Sequence, residues 1–166
     1  TIIQDSENSG GIIAHESVTY TDNNEVDMLF FGDSYETNNS DQFIKMHGRK
    51  VYEFALSRVP DAMKACLDQS GIQIQDLKKI FIHQANEKMD EAIVKRFYRL
   101  YKEKVPNDVL PMNIETHGNS SVATIPTLFD QVLKGQKEGH ELSKGDVVLF
   151  ASVGAGMNIN AITYQI

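Results

Sequence analysis

The chain has 166 residues, 41% of them hydrophobic and 23% charged, which is enough for one domain with a core of its own. A formal net charge of -7 opposes general binding to nucleic acid, a single cysteine excludes an internal disulfide framework, and the longest apolar runs are far too short to span a bilayer. His15, His47, His83, His117 and His140 lack the HExxH or paired-cysteine spacing of a zinc site, so no metal is expected. The opening TIIQDSENSGG has neither the basic region nor the apolar core of a signal peptide, and a soluble, cytoplasmic protein that contacts no membrane fits these features best.

In chain order, residues 11 to 19 alternate as a strand does after a Ser-Gly-Gly turn. Residues 21 to 45 set Asp22, Glu25, Asp27, Asp33, Glu36 and Asp41 against the single base Lys45, a pattern that predicts a long acidic surface loop, either a lid or a solvated connection. The carboxylates have no EF-hand spacing, so calcium is not expected. Between 46 and 70, Val51, Phe54, Val59, Met63 and Leu67 recur at helical spacing, and Pro60 is predicted to bend or interrupt that helix. A strand ending at His83 follows, then a helix over about 87–104, a short strand at 109–112, a helix over about 120–134, and closing strands at 147–153 and 158–166. The order β-α-β-α-β-α-β-β predicts an α/β fold. Its mixed five-stranded sheet would carry helices on its faces and be mostly parallel, with the last two strands antiparallel because only a glycine turn joins them.

Three stretches bring chemistry-bearing side chains to element ends. In FIHQAN (81–86) a buried strand runs into His83, where a side chain can point into a crevice; a capping turn is the plainer alternative. In THGNSSVATIPTLFDQVL (116–133) a polar turn opens a helix and places Asn119 at a junction resembling the one after His83. A neutral imidazole and an asparagine amide can jointly donate to a carbonyl oxygen that gains negative charge. Asn119 could instead only cap the helix, and Ser120 has no nucleophile elbow around it. In VVLFASVGAGMNINAITYQI (147–166), Gly154, Ala155 and Gly156 interrupt two strands, where glycine lets backbone N–H groups approach a ligand. On the helix after His83, Lys88, Lys95, Arg99 and Lys102 fall in one stripe roughly 60° wide at about 100° per residue, opposite Met89, Ile93, Phe97 and Leu100.

Together, HQAN (83–86), HGNSSVATIP (117–126) and GDVVLFASVGAGM (145–157), with MHGRKVYEFAL (46–56), closely resemble the C-terminal half of β-ketoacyl-acyl-carrier-protein synthase III, of the thiolase-like fold. The likeness covers about 46–166, weakens through the acidic loop and resumes over 1–19. It implies a decarboxylating condensation of an acyl thioester with malonyl-carrier protein in fatty acid or related lipid or polyketide synthesis. It implies no permanently bound cofactor, with coenzyme A and phosphopantetheine thioesters as substrates. His83 and Asn119 match the family's catalytic pair, which polarises the malonyl thioester carbonyl as carbon dioxide leaves, and 154–156 match the glycine-rich loop of the oxyanion hole. Ala155 stands for the more usual middle glycine and Val153 for the usual preceding phenylalanine, so acyl preference is not carried over. Lys88 matches a position that is typically arginine in the patch receiving the acidic acyl-carrier protein; a solvated helix face is the alternative for the stripe.

The family's cysteine nucleophile belongs to an N-terminal half without counterpart here, and Cys66, among Ala62, Met63 and Leu67, reads as a small core residue. The chain is therefore expected to be a single C-terminal domain, with residues 1 to 6 the remnant of the last strand of the missing half. Inactivity alone and association into a homo-oligomer are further expectations. A non-catalytic subunit or binding module of the same fold remains the alternative function.

Overall fold

A computed structural model describes residues 10–22, 25–36 and 41–166. Strand β1 (Gly11–Thr19) leads into a hairpin of β2 (Leu29–Asp33) and β3 (Gln42–Met46). Helix α1 (Gly48–Ser70), strand β4 (Leu77–Ile82) and helix α2 (Glu87–Leu100) follow. After these come the single turn α3 (Ile114–His117), helix α4 (Thr124–Leu133), and strands β5 (Val147–Gly154) and β6 (Asn158–Gln165). The expectation for residues 1 to 6 lies outside the described residues.

The main sheet has the order β1-β6-β5-β4. Its β1/β6 and β5/β6 pairs are antiparallel and β4/β5 is parallel, so the sheet is mixed, with one parallel pair instead of the mostly parallel arrangement expected. Period-2 side-chain alternation sorts the inner strands between two cores. Ile80, Ile82, Leu149 and Ala151 face a core built with α1 and α2, whereas Phe81, Val148 and Phe150 face a smaller one closed by Leu128, Phe129 and Val132 of α4. Cys66 is fully buried in the first core, 3.4 Å from the Thr163 hydroxyl, and burial raises its thiol pKa.

Three local expectations are corrected. Residues 109–112 form no strand, leaving a sheet of four strands. A single backbone bond, Ile80 N–H to the Val109 carbonyl (2.7 Å), begins a ladder there. Pro111 then offers no N–H, and the Gln84 side chain takes the place of a strand partner, donating to the Pro111 carbonyl (3.0 Å) and accepting from the Asn113 N–H (2.9 Å). The acidic segment 21–45 is more than a loop, because Leu29–Phe31 pair in register with Ile44–Met46. Helix α1 also runs through Pro60 without interruption. Proline leaves the carbonyl four residues earlier without its donor. That carbonyl belongs to Leu56, and the Arg96 guanidinium of α2 donates to it at 3.2 Å.

Candidate functional site

The carboxyl ends of β4 and β5 form the floor of the site. Ile82 pairs with Ala151, and the His83 N–H extends the ladder by donating to the Ala151 carbonyl at 3.0 Å. Three residues beyond Ala151, about 10 Å of strand, the chain turns through Gly154, Ala155 and Gly156 into β6. Gly156 (φ 74°) and Met157 (φ 49°) are both left-handed there, a conformation that glycine adopts without cost and methionine does not. Ala155 is exposed at the turn.

His83 is half-buried, and its ring lies beside the Ser121 backbone carbonyl. Burial lowers its pKa below the ordinary histidine value, outweighing the carbonyl, which favours the protonated form. The ring is therefore neutral at pH 7, one nitrogen carrying a proton and the other a lone pair. The neighbouring cap of α2 is supplied by Asn86, whose Oδ1 accepts from the Met89 N–H at 3.1 Å, so His83 does not act as the cap.

Asn119 arrives by a different route from the one expected. With no strand at 109–112, it follows α3, which Gly118 ends at φ 60°. Its Oδ1 accepts from the Ser121 N–H at 2.9 Å. This bond consumes the acceptor end of the amide and leaves the Nδ2 end, the donor, for another partner. Ser121 thus engages both residues singled out from sequence, its N–H with the Asn119 side chain and its carbonyl beside the His83 ring. Ser120 caps nothing and shares a hydrogen bond with the Thr124 hydroxyl at 3.2 Å.

The basic stripe is partly retained. Lys88, Lys95 and Arg99 are exposed on α2, but the helix ends at Leu100, so Lys102 (φ 60°) lies beyond it and helical spacing does not place it. Leu100, expected on the apolar face, is 42% exposed. Lys95 pairs with Glu91 at 3.3 Å, whereas Lys88 has no ion-pair partner among the described residues. Sequence reasoning missed Gln84, 0% exposed and hydrogen-bonded at both ends of its amide, although a glutamine ending a buried strand was the visible signal. It also missed Asp90, which is 0% exposed and has no hydrogen-bond partner for either carboxylate oxygen among the described residues.

The family model "3-oxoacyl-[acyl-carrier-protein (ACP)] synthase III C terminal" matches residues 67–166. The β-ketoacyl-[acyl-carrier-protein] synthase III of Acaryochloris marina is 36% identical over 124 residues, covering 75% of this chain and 34% of that protein. Its counterpart from Porphyra umbilicalis is 35% identical over 122 residues, covering 74% and 34%. Among solved structures, the synthase III of Thermus thermophilus superposes with a TM-score of 0.81 at 21% identity, over 99% of this chain and 49% of that one. The enzyme of Aquifex aeolicus gives 0.78 at 22%, over 98% and 46%. The chain thus spans about half the length of the solved relatives and about a third of the curated ones, with the thiolase-like fold of that region. By the extent of the match, it belongs to the family of 3-oxoacyl-[acyl-carrier-protein] synthase III C-terminal domains.

Proposed function

We propose that this chain is the C-terminal catalytic half of a 3-oxoacyl-[acyl-carrier-protein] synthase III-type acyltransferase. The reading is carried by the convergence of His83, at the end of β4, and the Asn119 turn, after α3, on Ser121, which leaves one neutral imidazole and one amide donor there. In the reaction, the His83 N–H and the Asn119 Nδ2–H donate to the carbonyl oxygen of a malonyl thioester. The bond from the α-carbon to the carboxylate breaks, carbon dioxide leaves, and the electron pair enters an enolate whose negative oxygen the two donors stabilise. The α-carbon then attacks an acyl thioester, releasing the thiolate that carried it and forming a 3-oxoacyl thioester. Backbone N–H groups of the 154–156 turn are suited to the oxyanion of that second step.

The thiolate must come from outside these 166 residues, because Cys66 is fully buried, hydrogen-bonded to Thr163 and held as a thiol. The remaining half of the enzyme supplies it, acyl-coenzyme A loads it, and malonyl-acyl-carrier protein is the second substrate. The test uses enzyme assembled from this chain and a cysteine-bearing N-terminal half. His83→Ala and Asn119→Ala should each slow carbon dioxide release from the malonyl thioester by about 100-fold or more while leaving acyl loading of the cysteine intact. Because burial lowers the His83 pKa, the decarboxylation rate should hold as pH falls to 6.5 and decline only below it. Undiminished decarboxylation in both variants would sink the reading.

A further inference from the structure

Beneath the Asn119 turn lies a hydrogen-bonded assembly that the proposed chemistry does not use directly. Gln84 follows His83, is 0% exposed, and fastens 111–113 to the end of β4 through both ends of its amide. Asn113, which begins α3, donates from Nδ2 to Gln131 Oε1 of α4 at 3.0 Å. With its oxygen so committed, Gln131 faces His117 with its Nε2–H, and the 3.1 Å contact to His117 Nε2 makes that nitrogen the acceptor. The imidazole proton then sits on Nδ1 and donates to the Thr116 hydroxyl at 2.8 Å, and that hydroxyl donates to the Asn113 carbonyl at 3.1 Å. The ring of bonds closes in this assignment of amides and tautomer, in which Asn113 Oδ1 is buried without a partner among the described residues.

Gln131 therefore staples α4 to both ends of α3, at Asn113 and at His117, so the residues between the two helices are anchored on both sides. That span carries two left-handed residues, Gly118 (φ 60°) and Ser121 (φ 53°). A left-handed serine is strained and persists only where its surroundings over-determine it. Ser121 is also the residue that meets both His83 and Asn119. We propose that Gln84, Asn113, Gln131 and His117 are positioning residues, a frame that holds the strained Asn119–Ser121 turn against the His83 ring. For its effect on the reaction, the proposal rests on the reading of His83 and Asn119 as the polarising pair.

The direct readout is the proximity of the His83 ring protons to the Ser121 and Asn119 protons, measured as nuclear Overhauser effects in the 166-residue chain. Gln84→Met and Gln131→Met keep side-chain bulk and remove the amides, while Gln75→Met, at a glutamine that bonds Glu103 on the surface, is the control. The two frame variants should lose more than half of the His83–Ser121 intensity with dispersed amide spectra elsewhere, and the control should lose none. In the assembled enzyme the same variants should slow decarboxylation by about 10- to 100-fold with KM within about twofold, since displacements near 1 Å carry penalties of that size. If Gln84→Met does not fold, Gln131→Met and His117→Phe, at half-buried and exposed positions, decide the matter. Persistence of the contacts in the folded frame variants overturns the proposal whatever the enzyme does. Failure of the polarising-pair reading would show instead in His83→Ala, with the wild-type contacts untouched.

Discussion

Asp90 illustrates how a single side chain can set a pH response. It lies in the first turn of α2, where the helix dipole favours a negative charge by roughly 0.3–1 kcal/mol. Burying a carboxylate with no partner costs several kcal/mol, so desolvation wins. Burial first, and the neighbouring Glu87 charge second, push its pKa up to about 8. The unfolded chain releases this proton near pH 4, so across about pH 4 to 8 the folded state holds one proton more. Stability from this group is therefore complete below pH 4 and is lost as pH rises through 8. Asp90→Asn removes the dependence. Its melting temperature should match wild type near pH 4.5 and exceed it near pH 8.5, by about 2–4 °C for each kcal/mol relieved. Scanning calorimetry across that range checks it, and parallel curves for the two proteins would contradict the assignment.

Helix α2 carries more than its packing explains. Met89, Ile93, Val94 and Phe97 bury one face and hold it against α1, while Arg96 reaches the carbonyl that Pro60 leaves open. The opposite face presents Lys88, Lys95 and Arg99. Arg99 in the last turn complements the helix dipole and Lys95 is offset by Glu91, but Lys88 stands in the first turn, where the dipole disfavours a cation. Helix stability gives no reason for Lys88, and under the proposed function docking of an acidic carrier protein would supply one. In the assembled enzyme, Lys88→Glu with Arg99→Glu should slow the reaction with malonyl-carrier protein by about tenfold at low salt, less at high salt, and affect loading from acyl-coenzyme A far less. Lys95→Gln should matter least. Equal losses in both half-reactions would make the stripe an ordinary solvated face.

Taken as one body, the chain covers both faces of its main sheet with helices yet leaves large apolar side chains in water. Phe31 (65% exposed), Ile44 (80%) and Met46 (60%) share one face of the β2/β3 hairpin, and Val122 (91%) and Leu133 (50%) lie along the outside of the α4 segment. Contiguous apolar patches beyond a few hundred Å² usually find a partner or aggregate. Light scattering of the isolated chain should therefore report a dimer or larger species, with the hydrodynamic mass falling on substitution of Phe31 and Ile44 by serine. A monodisperse monomer at high concentration would show that these faces are tolerated in water.

Local pattern carried β1, α1, β4, α2 and the two closing strands, because burial on one helix stripe or on both sheet faces writes its period directly into the residues. Motif spacing singled out His83, Asn119 and the glycine turn, and the fold sets His83 just past β4, Asn119 in the turn after α3 and 154–156 between β5 and β6. Long-range packing supplied the rest. Residues 109–112 have strand-like composition, but Gln84 takes the hydrogen bonds a strand would have made. Pro60 reads as a helix breaker until Arg96, 36 positions away, satisfies the orphaned carbonyl. The hairpin at 29–46 was hidden by its acidic flanks, and the environments of Asp90 and Ser121 depend on partners that the chain brings together only on folding. Periodicity records which side faces inward; it holds no record of which distant side chain completes a hydrogen bond.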